Sequence, residues 1–159
     1  MKPLKWEKKF SVGVDLFDEQ HKRLILIITQ LLEFTKENEY STSLENILKN
    51  LTDYSIYHFS SEEILMKKYN FPGFEAHKAE HQKFIAKLGE FNKDFHENKM
   101  NLSLKIYIFL KDWLKGHIEG VDKEYTKFFQ EHNIDKDPKA IQLLEKDTYK
   151  PKIFDKEID

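Results

Sequence analysis

The chain has 159 residues, of which 40% are hydrophobic and 34% charged, enough for one domain with a single core. A formal net charge of -2 excludes a strong electrostatic attraction to nucleic acid or an anionic membrane. The absence of cysteine excludes disulfides, thiolate zinc sites and iron–sulfur clusters, so any metal ion must be bound by nitrogen and oxygen. The N-terminus lacks an apolar run of signal-peptide length, and no stretch is long enough to span a bilayer. We therefore expect a soluble, cytoplasmic protein.

The pattern of the first 38 residues predicts an N-terminal arm followed by a helix. Residues 1–17 lack a helical period and contain Pro3 and Gly13, so we expect an arm that packs on the body through its apolar side chains. Asp18 is a favourable N-cap residue, which predicts a first helix that begins there and ends near Asn38.

Three more helices follow, each with an apolar stripe of 3.6-residue period. They are predicted over about 43–69, 74–97 and 102–131, and no segment alternates with period two for long enough to form a strand. Four long helices joined by short loops predict an all-α, up-down-up-down four-helix bundle. A short C-terminal extension, residues 132–159, comes after the bundle, and its residues 139–146 could form one or two helical turns.

Metal-binding side chains lie on the apolar rows of the second and third helices. His58 and Glu62 are four residues apart, and so are His77 and His81. This spacing places both members of each pair on one face of a helix, about one turn apart.

The first and fourth helices add three more candidates, namely His21, His117 and Asp122. At a rise of about 1.5 Å per residue, all the candidates are predicted to lie at one end of the bundle. His117 and Asp122 are five residues apart, about 140° on an ideal α-helix, so Asp122 would have to lean in from the edge of the stripe. Gly116 and Gly120 flank this region, and each costs about 1 kcal/mol inside a helix. We suggest either close helix approach or local widening of the helix at this point.

Five histidines and two carboxylates are too many protein ligands for one ion, but they suit two ions bridged by both carboxylates. Burying such groups unpaired would be strongly unfavourable, since each buried charge costs several kcal/mol. Imidazole-rich coordination without cysteine suits iron better than manganese or zinc. A solvent bridge would fill further positions, and at least one position would stay open for a small ligand.

Apolar residues within one helical turn of these ligands can form a dry pocket for the small ligand. They are Leu24, Phe59, Trp113, Leu114 and Ile118. Tyr125, three residues after Asp122, could donate a hydrogen bond to a ligand side chain. The remaining histidines, His96 and His132, match no ligand position and are interpreted as surface residues, and Glu63 and Glu80 as solvated.

These motifs resemble those of the hemerythrins, and most closely the single-domain bacteriohemerythrins. The matching stretches lie within about residues 4–131 and are Val12-Gly-Val14, Asp18-Glu-Gln-His21, His58-Phe-Ser-Ser-Glu62-Glu63, His77-Lys-Ala-Glu-His81 and the segment from Trp113 to Tyr125. The resemblance implies a hemerythrin-like bundle over residues 1–131, including the arm, and an extension over 132–159.

The resemblance also implies a non-haem di-iron centre with a hydroxo or oxo bridge, which binds O2 reversibly. In that family three histidines bind one iron, two bind the iron with the open site, and two carboxylates bridge them. By position, the first group is His77, His81 and His117, the second is His21 and His58, and the bridges are Glu62 and Asp122.

The function implied is an oxygen carrier, store or delivery protein, monomeric and not an enzyme. One alternative is a di-iron enzyme such as a peroxidase, nitric oxide reductase or ferroxidase, and another is a sensor of O2 or iron. Oxygen-activating bundles typically use carboxylate-rich sites with Glu-x-x-His repeats, whereas this sequence is richer in nitrogen. Sensors of this family usually carry signalling domains, and this sequence has none. Residues 132–159 exceed the minimal domain and could contact a client protein.

Overall fold

The computed structural model describes residues 2–34 and 42–147. Within them the α-helices are α1 (Asp15–Phe34), α2 (Thr42–Lys68), α3 (Phe74–His96), α4 (Leu102–Gly116), α5 (Asp122–Glu131) and α6 (Pro138–Asp147). Two 3-10 turns, Lys8–Phe10 and Ile134–Lys136, and a π-helical segment, His117–Val121, complete the secondary structure of this part of the chain. The prediction of an all-α fold is confirmed.

The bundle core lies between four helical rods. The contacts α1 to α2, α2 to α3, α3 to α4 and α4 to α1 close a ring, and α5 continues the fourth rod beyond the π-helical segment. The largest fully buried side chains come from the arm and from all four rods, as their apolar stripes require. They include Phe10, Phe17, Leu31, Leu51, Met66, Leu88, Tyr107 and Phe129.

Helix α1 begins earlier than predicted. It starts at Asp15, and Asp18 lies in its first turn, so the prediction of Asp18 as N-cap is wrong. The Asp18 carboxylate instead accepts hydrogen bonds from Ser11 Oγ at 2.5 Å and from the Val12 N–H at 2.8 Å. Gly13 beside them has a φ of 74°, a conformation that other residues rarely adopt. Asp18 therefore fastens the arm to the bundle.

The predicted ends of α2 and α3 agree with the structure within one residue, because the hydrophobic period of each helix stops where the turn-forming residues begin. The predicted end of α1 near Asn38 lies outside the described residues. The predicted fourth helix over 102–131 has these bounds as one helical rod, in which the π-helical segment His117–Val121 lies between α4 and α5.

The extension folds back onto the bundle. Helix α6 packs against α2, which buries Ala140 and Leu144. Tyr69 Oη donates a hydrogen bond to Asp137 Oδ2 at 3.2 Å, just before α6 begins. The helical turns predicted within 139–146 are confirmed, and they pack on the bundle through the buried side chains of Ala140 and Leu144.

No helix among the described residues has the length and apolar character needed to cross a membrane.

We expect Leu144→Ala to lower the free energy of unfolding by about 2–5 kcal/mol, because it removes a side chain that is 1% exposed. Gln142→Ala is the matched control on the exposed side of the same helix, and it should change stability by no more than about 0.5 kcal/mol. Urea denaturation of both variants measures the difference. Equal stabilities would show that α6 does not belong to the cooperative fold.

Candidate metal centre

All seven predicted ligand side chains meet inside the bundle. Each of the four rods contributes at least one, and each side chain is between 0% and 4% exposed. They are His21 from α1, His58 and Glu62 from α2, His77 and His81 from α3, and His117 and Asp122 from the fourth rod.

The ligand atoms form two overlapping groups, each with its atoms within 4.8 Å of one another. The three-histidine group contains His77, His81 and His117, the two-histidine group contains His21 and His58, and both groups share Glu62 and Asp122. This division is the one that the sequence resemblance implies.

Glu62 divides its two oxygen atoms between the groups. Its Oε1 lies 3.2 Å from His58 Nε2 and 3.6 Å from His21 Nε2. Its Oε2 lies 3.1 Å from His81 Nε2 and 3.5 Å from His77 Nε2. Each oxygen therefore faces a different set of imidazoles.

Asp122 repeats this division from the opposite rod. Its Oδ2 lies 3.3 Å from His21 Nε2, in the two-histidine group. Its Oδ1 lies 2.9 Å from His117 Nε2 and 3.1 Å from His77 Nε2, in the three-histidine group. Each of the two carboxylates therefore faces both groups of imidazoles.

The π-helical segment His117–Val121 explains how Asp122 reaches this position. An ideal α-helix separates residues five apart by about 140°, whereas the i to i+5 hydrogen bonds of a π-helix bring them onto one face. Local widening is therefore the correct alternative of the two suggested. Close helix approach is wrong, because a Cβ atom on Gly116 or Gly120 would meet nothing within 4 Å.

Many polar atoms at this point are buried and lack a hydrogen-bond partner among the described residues. They include both ring nitrogens of His21 and His77, Nε2 of His81 and His117, Oε2 of Glu62, and both carboxylate oxygens of Asp122. Leaving one such atom unpaired costs about 1–3 kcal/mol. Buried nitrogen and oxygen atoms that converge without hydrogen bonds fit a metal site.

Burial and mutual attraction compete in setting the charges of the site. Burial lowers the pKa of His21, but the Asp122 and Glu62 carboxylates outweigh it and raise that pKa to about 9. The same competition raises the pKa of His77 to about 10. Burial prevails at His58, whose pKa is lowered. The histidines hold the pKa values of Glu62 and Asp122 below their usual range although burial opposes this.

Tyr125 makes the hydrogen bond to a ligand that the sequence predicted. Its Oη donates to Glu62 Oε1 at 2.6 Å, and the residue is fully buried. Burial raises the pKa of Tyr125 well above its usual value, so the phenol keeps the proton that it donates.

Two further contacts to ligands were missed by the sequence analysis. Gln20 Oε1 lies 2.7 Å from His58 Nδ1, and Glu63 Oε1 lies 2.8 Å from His81 Nδ1. The prediction of Glu63 as solvated is wrong, since its side chain is only 24% exposed. The available signal was adjacency, because Gln20 precedes the ligand His21 and Glu63 follows the ligand Glu62. The interpretation of His96 and His132 as surface residues is confirmed, and Glu80 pairs with Lys83 at the surface.

The aromatic residues of the predicted pocket stack on the candidate ligand rings, and the aliphatic ones lie within one helical turn of a candidate ligand in the chain. Phe59 stacks on His81 with ring centroids 3.9 Å apart, and Trp113 stacks on His117 at 4.3 Å. Trp113 is only partly buried, whereas the aliphatic members of the set are fully buried: Leu24, Leu114 and Ile118.

The bundle and its interior of nitrogen and oxygen donors define a helical metal-binding domain. Residues 12–129 match the family model described as the Hemerythrin HHE cation binding domain. The chain therefore belongs to the hemerythrin family.

Similar proteins include a bacteriohemerythrin of Methylococcus capsulatus, 34% identical over 117 residues that cover 74% of this chain and 88% of the relative. A hemerythrin-like protein of Naegleria gruberi is 34% identical over 123 residues, covering 77% of this chain and 91% of the relative. The crystal structure of a wild-type hemerythrin superposes with a TM-score of 0.74 at 31% identity, covering 79% of this chain and 97% of that one.

We expect Fe²⁺ binding to the metal-free protein at pH 7 to release protons. The pKa values of about 9 and about 10 keep His21 and His77 protonated at that pH, and an ion must displace those protons. Proton release should fall, and apparent affinity should rise, as the pH approaches 10. Without metal, the stability that these two protonations contribute is complete below pH 6.5 and is lost as the pH rises through 9 to 10.

Anaerobic titration in weakly buffered solution measures the released protons. His77→Gln should release fewer protons than the parent protein, whereas the surface control His132→Gln should match it. Metal uptake at pH 7 without any proton release would contradict the charges assigned to the site.

Proposed function

We propose that this protein binds O2 reversibly at a pair of iron ions held by the seven donors, as an oxygen carrier, store or delivery protein. The observation that carries the proposal is the division of the Glu62 and Asp122 oxygens between the three-histidine and two-histidine groups. Two carboxylates facing two groups of imidazoles are suited to bridge two ions rather than to bind one.

The unequal number of histidines supports an open position. Three histidines and two carboxylates surround one ion site, and two histidines and the same two carboxylates surround the other. The second ion would therefore have one protein ligand fewer, and the small ligand would bind on the side of His21 and His58.

A ferrous pair with an open position supplies the two electrons and the binding place that reversible O2 binding needs. The chain's own contribution is orientation and exclusion of water. Tyr125 and Gln20 hold Glu62 and His58 in place from outside. Leu24 and Ile118 are buried apolar neighbours of the ligands that limit access by water.

The donor set also supports carriage over turnover. Oxygen-activating di-iron bundles typically use Glu-x-x-His repeats and a carboxylate-rich set, whereas five of the seven donors here are imidazoles. Fewer anionic ligands stabilise the higher oxidation states of iron less. The proposal is accordingly a non-enzymatic, monomeric O2-binding protein of the cytoplasm. In this proposal the bundle spans 1–131 and the extension 132–159 is where a client protein would bind.

Anaerobic loading with Fe²⁺ followed by cycles of O2 and argon tests the proposal. We expect two irons per chain by metal analysis, and an optical band that forms under O2 and disappears under argon through repeated cycles. Immediate, irreversible oxidation accompanied by turnover of peroxide or nitric oxide would contradict carriage and support a di-iron enzyme.

We expect Ile118→Ala to reduce the number of O2 and argon cycles that the protein survives by about tenfold, because the substitution leaves a cavity beside His117 that admits water to the site. Ile118 is 1% exposed, whereas Ile108 on α4 is 44% exposed, so Ile108→Ala is the matched control. The measurement is the number of O2 and argon cycles before binding capacity halves. Identical lifetimes for the two variants would show that Ile118 does not protect the site.

A further inference from the structure

The outer contacts of the two histidine groups differ in charge. In the three-histidine group, His81 Nδ1 lies 2.8 Å from a carboxylate oxygen of Glu63. In the two-histidine group, His58 Nδ1 lies 2.7 Å from the neutral amide oxygen of Gln20. The Nδ1 atoms of His21 and His77 have no hydrogen-bond partner among the described residues. Among the described residues, the only ion pair between a carboxylate and a histidine Nδ1 is that of Glu63 with His81, on the three-histidine side.

This difference has a chemical consequence at the inner nitrogen. The Nε2 atoms face Glu62 and the other donors, so a metal-bound ring carries its remaining proton on Nδ1 and donates it outward. A carboxylate accepts such a hydrogen bond about twice as strongly as a neutral group. Drawing the Nδ1 proton away makes Nε2 a more basic ligand, as in the carboxylate–histidine–metal arrangement.

The position of Glu63 allows its charge to act on His81. Glu63 directly follows Glu62 in α2, and its side chain is 24% exposed, so it keeps contact with solvent while it reaches His81. Among the described residues, Glu63 has no lysine or arginine partner that would compensate its charge. Phe59 stacks on His81 with an interplanar angle of 6°, which fixes the plane of the imidazole ring. The contact with Glu63 then fixes the direction of Nδ1 within that plane.

We propose that Glu63 is a positioning residue which, through His81, makes the three-histidine site the more electron-rich and more tightly binding of the two ion sites. The inference rests on the metal pair of the proposed function, but not on iron as the metal or on O2 as the ligand. The difference between Glu63 and Gln20 then adds a second asymmetry to the unequal number of histidines. The ion that lacks an open position is the one held more strongly.

Three variants test the proposal. Glu63→Gln leaves neutral amides on both sides of the site, and Glu63→Asp keeps the charge. Glu80→Gln is the matched control, because Glu80 is an acidic residue of α3 close to the same ligands that pairs with Lys83 and contacts no ligand. Both positions are at least partly exposed, so the fold should tolerate each of the three changes.

The first measurement uses Zn²⁺, which needs neither iron nor O2. We expect competition with a chelator to show one of the two zinc ions bound about 10–100-fold more weakly in Glu63→Gln, with most of the affinity restored in Glu63→Asp. Glu80→Gln should bind both ions as the parent protein does. Equal losses in Glu63→Gln and Glu80→Gln would overturn the proposal.

The second measurement reports on the ring itself. In NMR spectra of the zinc-loaded protein labelled with ¹⁵N histidine, we expect the Nδ1 proton of His81 to move upfield in Glu63→Gln, toward the position of the His58 proton. A role for Glu63 in packing alone would leave this resonance unchanged, and that result would also overturn the proposal.

The third measurement uses iron. We expect Glu63→Gln to shift the redox equilibrium of the iron pair about tenfold toward the reduced form, about 59 mV for a one-electron step. An unchanged potential would contradict the inference. If the zinc and NMR responses appear but O2 does not bind, the proposed function fails and the inference about Glu63 stands.

Discussion

Five imidazoles and two carboxylates buried in one bundle interior are the constraint on which the rest of the structure depends. Their attraction shifts the pKa values of His21 and His77 up and those of Glu62 and Asp122 down, against the effect of burial. That attraction does not satisfy the site, because many of its buried nitrogen and oxygen atoms lack hydrogen-bond partners among the described residues. Metal ions are the partners that suit such donors, and the hemerythrin family to which the chain belongs is a family of cation-binding domains.

The fold meets this constraint because the four rods bring the seven side chains to one depth of the bundle, and because the fourth rod is locally widened. The π-helical segment His117–Val121 turns Asp122 onto the face that His117 occupies. The arm supports this segment from outside, since Lys9 lies 3.8 Å from Glu119 and Lys123 Nζ donates to the Ser11 carbonyl oxygen. Asp18 of α1 accepts hydrogen bonds from Ser11 and Val12, so the same part of the arm also contacts α1. The N-terminal arm therefore contacts the residues on both sides of Asp122 in the chain.

The sequence was sufficient for the bundle and for the seven side chains that meet inside it, because both depend on spacing. Pairs at i and i+4 on apolar stripes, such as His58 and Glu62, predict a shared buried face without knowledge of the neighbours. The π-helical segment was not predictable to the same degree, since the five-residue spacing of His117 and Asp122 is compatible with a leaning side chain in a regular helix. The contact of Gln20 with His58 depends on how α1 and α2 are rotated about their axes, and that of Asp18 with the arm depends on the path of the chain into α1. The hydrophobic period determines neither.

The contacts around the ligands differ between the two groups, both in number of histidines and in the charge of the outer partners. The chemical consequence of this asymmetry depends on the central proposal that two ions bind between the rods, one in each histidine group. Anomalous diffraction at the iron absorption edge from crystals of iron-loaded protein tests that claim most directly. The account predicts two peaks, with Glu62 and Asp122 between them. A single peak, or none in the bundle interior, would contradict it.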